Sequence, residues 1–125
     1  MQLGMIGAGR MGANMARRLL RGGHACVVHS LSPAELEPLV AEGAVAAATL
    51  TALVAQISPP RAVWLMVPAA AVDATIDALA PLLDDGDTIV DGGNSHYVDD
   101  MRRAKALEVR GIHYLDVGTS GGVWG

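Results

Sequence analysis

The sequence holds 125 residues, of which 51% are hydrophobic and 18% charged, with a formal net charge of −4. That is one domain's length with enough apolar surface to bury a core, which excludes an intrinsically disordered segment. The basic residues form no block that suits a nucleic-acid surface, and no apolar run approaches the roughly 20 residues of a membrane span.

The single cysteine, Cys26, excludes an internal disulfide and shows no zinc-ligand spacing. Its place in an apolar run reads as a small hydrophobe. The opening residues MQLGMIGAG lack a charged leader and break at glycines. They read as a strand and not a signal peptide, so a reduced, cytoplasmic setting is expected.

In chain order, Leu3 to Ile6 is a short apolar run that predicts the first strand. Met11 to Arg21 predicts a helix, with Met11, Met15 and Leu19 at i, i+4 and i+8 on one face. Arg17, Arg18 and Arg21 lie near its C-terminus, where the dipole favours cations, and Gly22-Gly23 ends it with a left-handed cap. Ala25 to Val28 predicts the second strand. Ser32-Pro33-Ala34-Glu35 predicts a helix start, with Ser32 as N-cap, Pro33 in the first helical position and Glu35 completing a capping box. That helix is expected to reach about Glu42 and end at Gly43. Ala44 to Ala47 predicts a third strand, Thr49 to Gln56 a helix, and Pro59-Pro60 a turn.

Ala62 to Val67 is apolar at every position, which a parallel strand covered on both faces needs. Trp64 within it reads as core. Ala70 to Leu83 predicts a helix that frays at Pro81, and Asp87 to Val90 a fifth strand. Ser95 can cap a helix that runs to about Arg110, with Asp99 and Asp100 early and Arg102, Arg103 and Lys105 later. Gly111 ends it, and Ile112 to Val117 predicts a sixth strand before a glycine-rich end that carries Trp124. His24, His96 and His113 show no ligand spacing and read as surface or cap residues; no metal site is expected. Strands alternating with helices through short connections imply right-handed crossovers and a three-layer, doubly wound parallel sheet of α/β class, in order 3-2-1-4-5-6.

Gly7-Ala8-Gly9-Arg10-Met11-Gly12 is a GxGxxG that follows a strand and opens a helix, the context that gives this pattern its meaning. Gly7 permits the tight turn. Gly9 lets a pyrophosphate approach the backbone, and Gly12 lets helix and strand pack closely. Free N–H groups and the positive end of the helix dipole then face the phosphates. These residues point to a Rossmann domain that binds NAD or NADP. An acidic residue expected at the second strand's end for NAD is missing: Val28-His29-Ser30-Leu31 stands there. Ser30 suits a ribose hydroxyl or a 2′-phosphate, with Arg10 the nearest cation and His29 a weaker one, so the choice of cofactor stays open.

The ends of strands four to six carry Val67-Pro68-Ala69, Asp91-Gly92-Gly93-Asn94-Ser95 and Gly118-Thr119-Ser120-Gly121-Gly122. In an open α/β sheet, ligands lie outside the carboxyl ends of the strands, so these loops are expected to face the nicotinamide half. Asn94 offers a donor and acceptors, and Ser120-Gly121-Gly122 a hydroxyl and accessible amides that suit an anionic substrate.

GMIGAGRMGANMARRL, AVWLMVPA, DGGNSHYVDDMRRAK and GIHYLDVGTSGGVWG together resemble the cofactor domain of decarboxylating 6-phosphogluconate dehydrogenases, in particular the short bacterial form. The resemblance covers essentially the whole chain, and DGGNS is normally lacking in the 3-hydroxyisobutyrate dehydrogenase branch. It implies that residues Gly7 to Gly12 bind the diphosphate and that Ser30 lies at the adenosine ribose. Val67, Pro68 and Ala69 would lie near the nicotinamide. Asn94 would touch nicotinamide and substrate, and Ser120, Gly121 and Gly122 the substrate, a phosphorylated sugar acid. It implies oxidation of 6-phosphogluconate and decarboxylation to ribulose 5-phosphate in the pentose phosphate pathway, by a homo-oligomeric parent enzyme. In that family the general base lysine and acid glutamate lie in a later helical domain. Lys105 is not that lysine, no catalytic residue is expected in this chain, and the chain alone is expected to be inactive. The short bacterial forms usually place Asp where Ser30 stands, and the NADP-using forms Asn-Arg at Ser30-Leu31; this chain has neither. A free-standing NAD(P)-binding module and a domain of another β-hydroxyacid dehydrogenase are the alternatives.

Overall fold

The computed structural model describes residues 2–92 and 97–117. β1 (Gln2–Ile6) leads into α1 (Arg10–Arg21) and β2 (Ala25–His29), followed by α2 (Glu37–Ala41), β3 (Val45–Ala46), α3 (Leu50–Ala55), β4 (Ala62–Leu65), α4 (Val72–Leu79), β5 (Thr88–Asp91), α5 (Tyr97–Glu108) and β6 (His113–Asp116). The strands form one sheet in the order β3-β2-β1-β4-β5-β6, every pair parallel. This is the doubly wound order that the alternation predicts.

Register aligns the strand ends. Ile6 pairs with His29 on one side and Leu65 on the other, Leu65 pairs with Asp91, and Asp91 with Asp116. The chain leaves β1 towards β2 and later returns past β1 to β4. The connections therefore depart in opposite directions and leave a crevice at the carboxyl edge. Backbone bonds extend the ladder past the strands: Met66 N–H donates to Ile6 O at 2.8 Å and Gly92 N–H to Leu65 O at 3.0 Å.

Helices cover both faces. Ile6, Val27, Val63, Leu65 and Ile89 pack under α3 and α4, where Leu53, Val72, Ile76 and Leu79 face inward. Met5, Cys26 and Val28 point to the other face and pack with Ala16 of α1 and Leu39 of α2. Alternation along each strand thus feeds two cores. Trp64 is partly buried against the second of them. α1 ends in a Schellman closure, with Gly23 N–H on Leu20 O at 3.1 Å and His24 N–H on Leu19 O at 3.0 Å. Gly23 takes φ +86°, which an L side chain resists.

Three local expectations are corrected. The helix expected from Ser32 to about Glu42 is broken into a 3-10 turn at Pro33–Glu35 and a short α2. Pro38 has no N–H to give Ala34, so a continuous α-helix is denied there, and α2 restarts with the proline in its first turn. Ser32 makes no side-chain cap. The expected helix from Ala70 to Leu83 keeps α geometry only over Val72–Leu79, with 3-10 turns at Ala69–Ala71 and Ala80–Leu82. On α1, Met15 and Leu19 pack against the second core, whereas Met11 is 43% exposed. Gly12 and Ala16 make the close approach to the sheet, and that turns Met11 outward.

Candidate functional site

Gly7 turns the chain from β1 to α1 at φ +97°. Its N–H donates to His29 O at 2.8 Å, which ties the loop to the end of β2. A Cβ on Gly7 would run into the Met66 carbonyl, and a Cβ on Gly12 into the Gly7 carbonyl. A Cβ on Gly9 would meet nothing within 4 Å, and Gly9 sits at φ −66°, ψ −173°, open to any residue. The fold therefore needs glycine at positions 7 and 12, and a requirement at position 9 comes only from something placed against the loop. Gly9 is the N-cap of α1 and supplies no side-chain acceptor, so the first-turn amides have no intrahelical partner. An anion is the natural partner for that end.

One cleft of about 1050 Å³ opens at the carboxyl edge of the sheet. The whole loop from Gly7 to Gly12 lines it, Ala8, Arg10 and Met11 included. So do Ser30 from the end of β2 and Val67, Pro68 and Ala69 from the end of β4. The structure thus brings those predicted site residues into one cavity. Asn94, Ser120, Gly121 and Gly122 lie outside the described residues, as do Ser95 and Trp124.

The structure adds residues that pattern reading passed over. Met66 lines the cleft beside Gly92, which belongs to the loop expected to face the nicotinamide half, and a Cβ on Gly92 would sit 2.5 Å from the Met66 sulfur and 3.2 Å from the Trp64 ring. Ala71, Ala74 and Ala78 of the α4 region turn small side chains to it, and Thr75 binds its own helix at Ala71 O, 2.8 Å away. The spacing of these alanines on a helix after β4 was a usable signal.

Glu35 is the larger surprise. The capping-box pattern assigns it to the helix, but in the structure it lines the cleft and accepts a 2.7 Å hydrogen bond from Ser30 Oγ. Ser30 Oγ in turn accepts from Ser32 N–H at 3.1 Å. The tip of β2 therefore carries a carboxylate after all, delivered from five residues downstream. His29 also lines the cleft, with Nδ1 2.9 Å from Ala47 O, so that nitrogen donates to the carbonyl. Among the described residues, Arg10, His29 and Glu35 are the titratable side chains on the cleft wall. Lys105 is exposed on α5 and does not line it.

Away from the cleft, α5 is tied to α4. Arg103 Nε donates to Asp73 Oδ1 at 2.8 Å, and Arg102 reaches both Asp73 oxygens at 3.1 Å. The Arg103 bond first, then that of Arg102, holds the Asp73 carboxyl below its ordinary range despite partial desolvation.

A parallel sheet that reverses between β1 and β4, a glycine loop under a bare helix N-terminus, and a cleft across both halves define a dinucleotide-binding domain of the Rossmann class. The family model described as the NAD binding domain of 6-phosphogluconate dehydrogenase matches residues 2–125, and the chain belongs to that family. It is 47% identical over 123 residues to the NAD(+)-dependent, decarboxylating 6-phosphogluconate dehydrogenase of Haloferax volcanii, covering 98% of this chain and 40% of that protein. The 6-phosphogluconate dehydrogenase of Plasmodium falciparum superposes with a TM-score of 0.84 at 26% identity, covering 91% of this chain and 26% of that one. A Mycobacterium tuberculosis 3-hydroxyisobutyrate dehydrogenase superposes with a TM-score of 0.83 at 21% identity, over 92% of this chain and 39% of that one, which is a likeness of fold. The chain spans about two fifths of the length of two curated relatives, from Bacillus subtilis and Haloferax volcanii, and about a quarter of the length of others.

Proposed function

We propose that this chain holds NAD or NADP in the carboxyl-edge cleft, as the cofactor domain of an enzyme that oxidatively decarboxylates 6-phosphogluconate to ribulose 5-phosphate. The observation that carries the reading is Gly9, where an added Cβ would touch no protein atom. A glycine that the fold does not require, at a bare helix N-terminus on a cleft wall, fits a diphosphate drawn close to the backbone. The 47% relative named for this reaction supports the substrate class, whereas the 3-hydroxyisobutyrate dehydrogenase likeness is one of fold.

In this reading the amides from Gly7 to Gly12 bind the diphosphate and Ser30 lies at the adenosine ribose. Val67, Pro68 and Ala69 form an apolar wall that keeps water from the nicotinamide, and Asn94 touches both nicotinamide and substrate. Ser120, Gly121 and Gly122 receive the phosphorylated sugar acid. When bound, the cofactor supplies a hydride acceptor. The chain spans about two fifths of the length of two such relatives, and in this reading the groups that move protons and the contacts that make the parent a homo-oligomer belong to the remainder of a protein of that kind. The setting is cytoplasmic sugar-acid metabolism, the pentose phosphate pathway; among the described residues no helix is long and apolar enough to cross a membrane.

Calorimetric titration with NAD and, separately, NADP tests the cofactor assignment. Saturable binding of either supports it, and binding of neither overturns it. Turnover of 6-phosphogluconate by the 125-residue chain alone would overturn the assignment of proton transfer to a further domain.

A further inference from the structure

We infer that Glu35 makes this cleft select NAD over NADP. The inference rests on the proposed dinucleotide site and adds a specificity-determining residue to it. In this fold the residue at the end of the second strand meets the adenosine ribose, and a carboxylate there accepts from the free 2′-hydroxyl. Here that position is Ser30, with no charge of its own.

The hydrogen-bond directions at the strand tip decide what it can bind. Ser30 Oγ gives its proton to Glu35 Oε1 at 2.7 Å, and one of its lone pairs takes the Ser32 N–H at 3.1 Å. What the pair still offers to the cleft is acceptors: carboxylate oxygens and the remaining lone pair of the hydroxyl. A ribose 2′-hydroxyl brings a donor and matches them. A 2′-phosphate brings oxygen acceptors and a charge of about −1.5 to −2, so at the Ser30–Glu35 pair it meets a carboxylate and no free donor. To give its proton to that phosphate, Ser30 would have to release Glu35. The Pro33–Glu35 turn fixes the carboxylate's place: Glu35 N–H donates to Ser32 O at 3.0 Å, so the chain doubles back on the strand tip. Two other titratable groups face the same cleft. His29 spends Nδ1 on Ala47 O, and Arg10 opens α1 in the glycine loop. Arg10 is the cation that works against Glu35, and the binding ratio reads which of the two prevails.

The test is paired calorimetric titration of the 125-residue chain and its Glu35→Gln variant with NAD and NADP at one ionic strength. The wild-type chain is expected to bind NAD at least about tenfold more tightly than NADP, a difference of about 1.4 kcal/mol, and the variant to reduce the ratio below about threefold. Glu35 is exposed, and glutamine keeps an oxygen for the Ser30 proton, so the melting temperature is expected to stay unchanged and to separate selectivity from folding. Equal or tighter NADP binding by the wild-type chain would show that Arg10 outweighs Glu35, and would overturn the inference while leaving the dinucleotide site intact. An unchanged ratio in the variant would also overturn it. Binding of neither cofactor would instead overturn the proposed function itself.

Discussion

The carbonyl oxygen of Gly7 lies where a Cβ on Gly12 would have to be. The obstacle is backbone, which cannot rotate away, and the Met66 side chain closes the other side, with its Cβ at 3.3 Å. Gly12→Ala therefore has to push α1 off the sheet. A loss of about 1–3 kcal/mol is expected, as for other overpacked sites. The helix N-terminus moves with it, so dinucleotide binding falls too. A urea midpoint and a titration on the same variant check both; an unchanged midpoint would mean that α1 does not sit this close.

Gly9→Ala is the converse. Its backbone at φ −66° and ψ −173° suits alanine, and the added methyl meets nothing within 4 Å. Stability is expected to stay within about 0.5 kcal/mol of wild type. Binding of NAD and NADP is expected to weaken by at least about tenfold, since the methyl then occupies the diphosphate's approach. Retained affinity in Gly9→Ala would remove the diphosphate from this loop.

The difference between these glycines also shows what the sequence can carry. The strand order was legible because each strand is an apolar run closed by glycine or followed by an amphipathic helix, and right-handed crossovers leave few arrangements. The glycine loop was legible because its spacing serves one geometry. Glu35 was not. Three residues after Ser32 it satisfies a capping-box pattern, and only the proline break at Pro38, which limits the first turn to 3-10 geometry, frees it to meet Ser30. Local patterns compete, and the tertiary contact decides between them.

At the opposite edge of the sheet from the cleft, Asp87 is fully buried and accepts from Arg61 N–H at 2.6 Å, Asp84 N–H at 2.8 Å and the Arg61 guanidinium at 3.1 Å. Burial alone pushes its carboxyl up; the two backbone donors and the guanidinium outweigh that and hold it below its ordinary value. The unfolded chain therefore takes the proton first as pH falls. The stability that Asp87 contributes is complete above the ordinary carboxylate value of about 3.9 and is lost as pH falls through the lower folded value. Asp87→Asn is expected to cost about 1–3 kcal/mol at pH 7, because Arg61 loses the buried one of its two carboxylate partners and keeps Asp84 at 3.0 Å. Urea midpoints from pH 7 down to 3 for both chains check this. The gap between them should hold down to about pH 4 and narrow below it, in line with the ordinary carboxylate value. A gap independent of pH would mean that the ionised form is not what stabilises the pair.

Cys26 lies in β2 at 2% exposure, and burial pushes its thiol up to about 11. At pH 8 it is neutral and out of reach, whereas alkylation needs the thiolate and contact with solvent. Labelling of the native chain is therefore expected to proceed only through opening of the strand, and to be complete at once in urea. β2 pairs with β1 and β3 in the middle of one half of the sheet, so opening it exposes most of that core and approaches global unfolding. A ligand that binds only the folded chain lowers the open population by a factor of about 100 when present at 100 times its dissociation constant. Labelling in saturating NAD should thus slow by about that factor under conditions where reclosing is faster than alkylation. Labelling that NAD does not slow would show that β2 opens without disturbing the cleft at its end, and would separate the strand from the site that it is proposed to support.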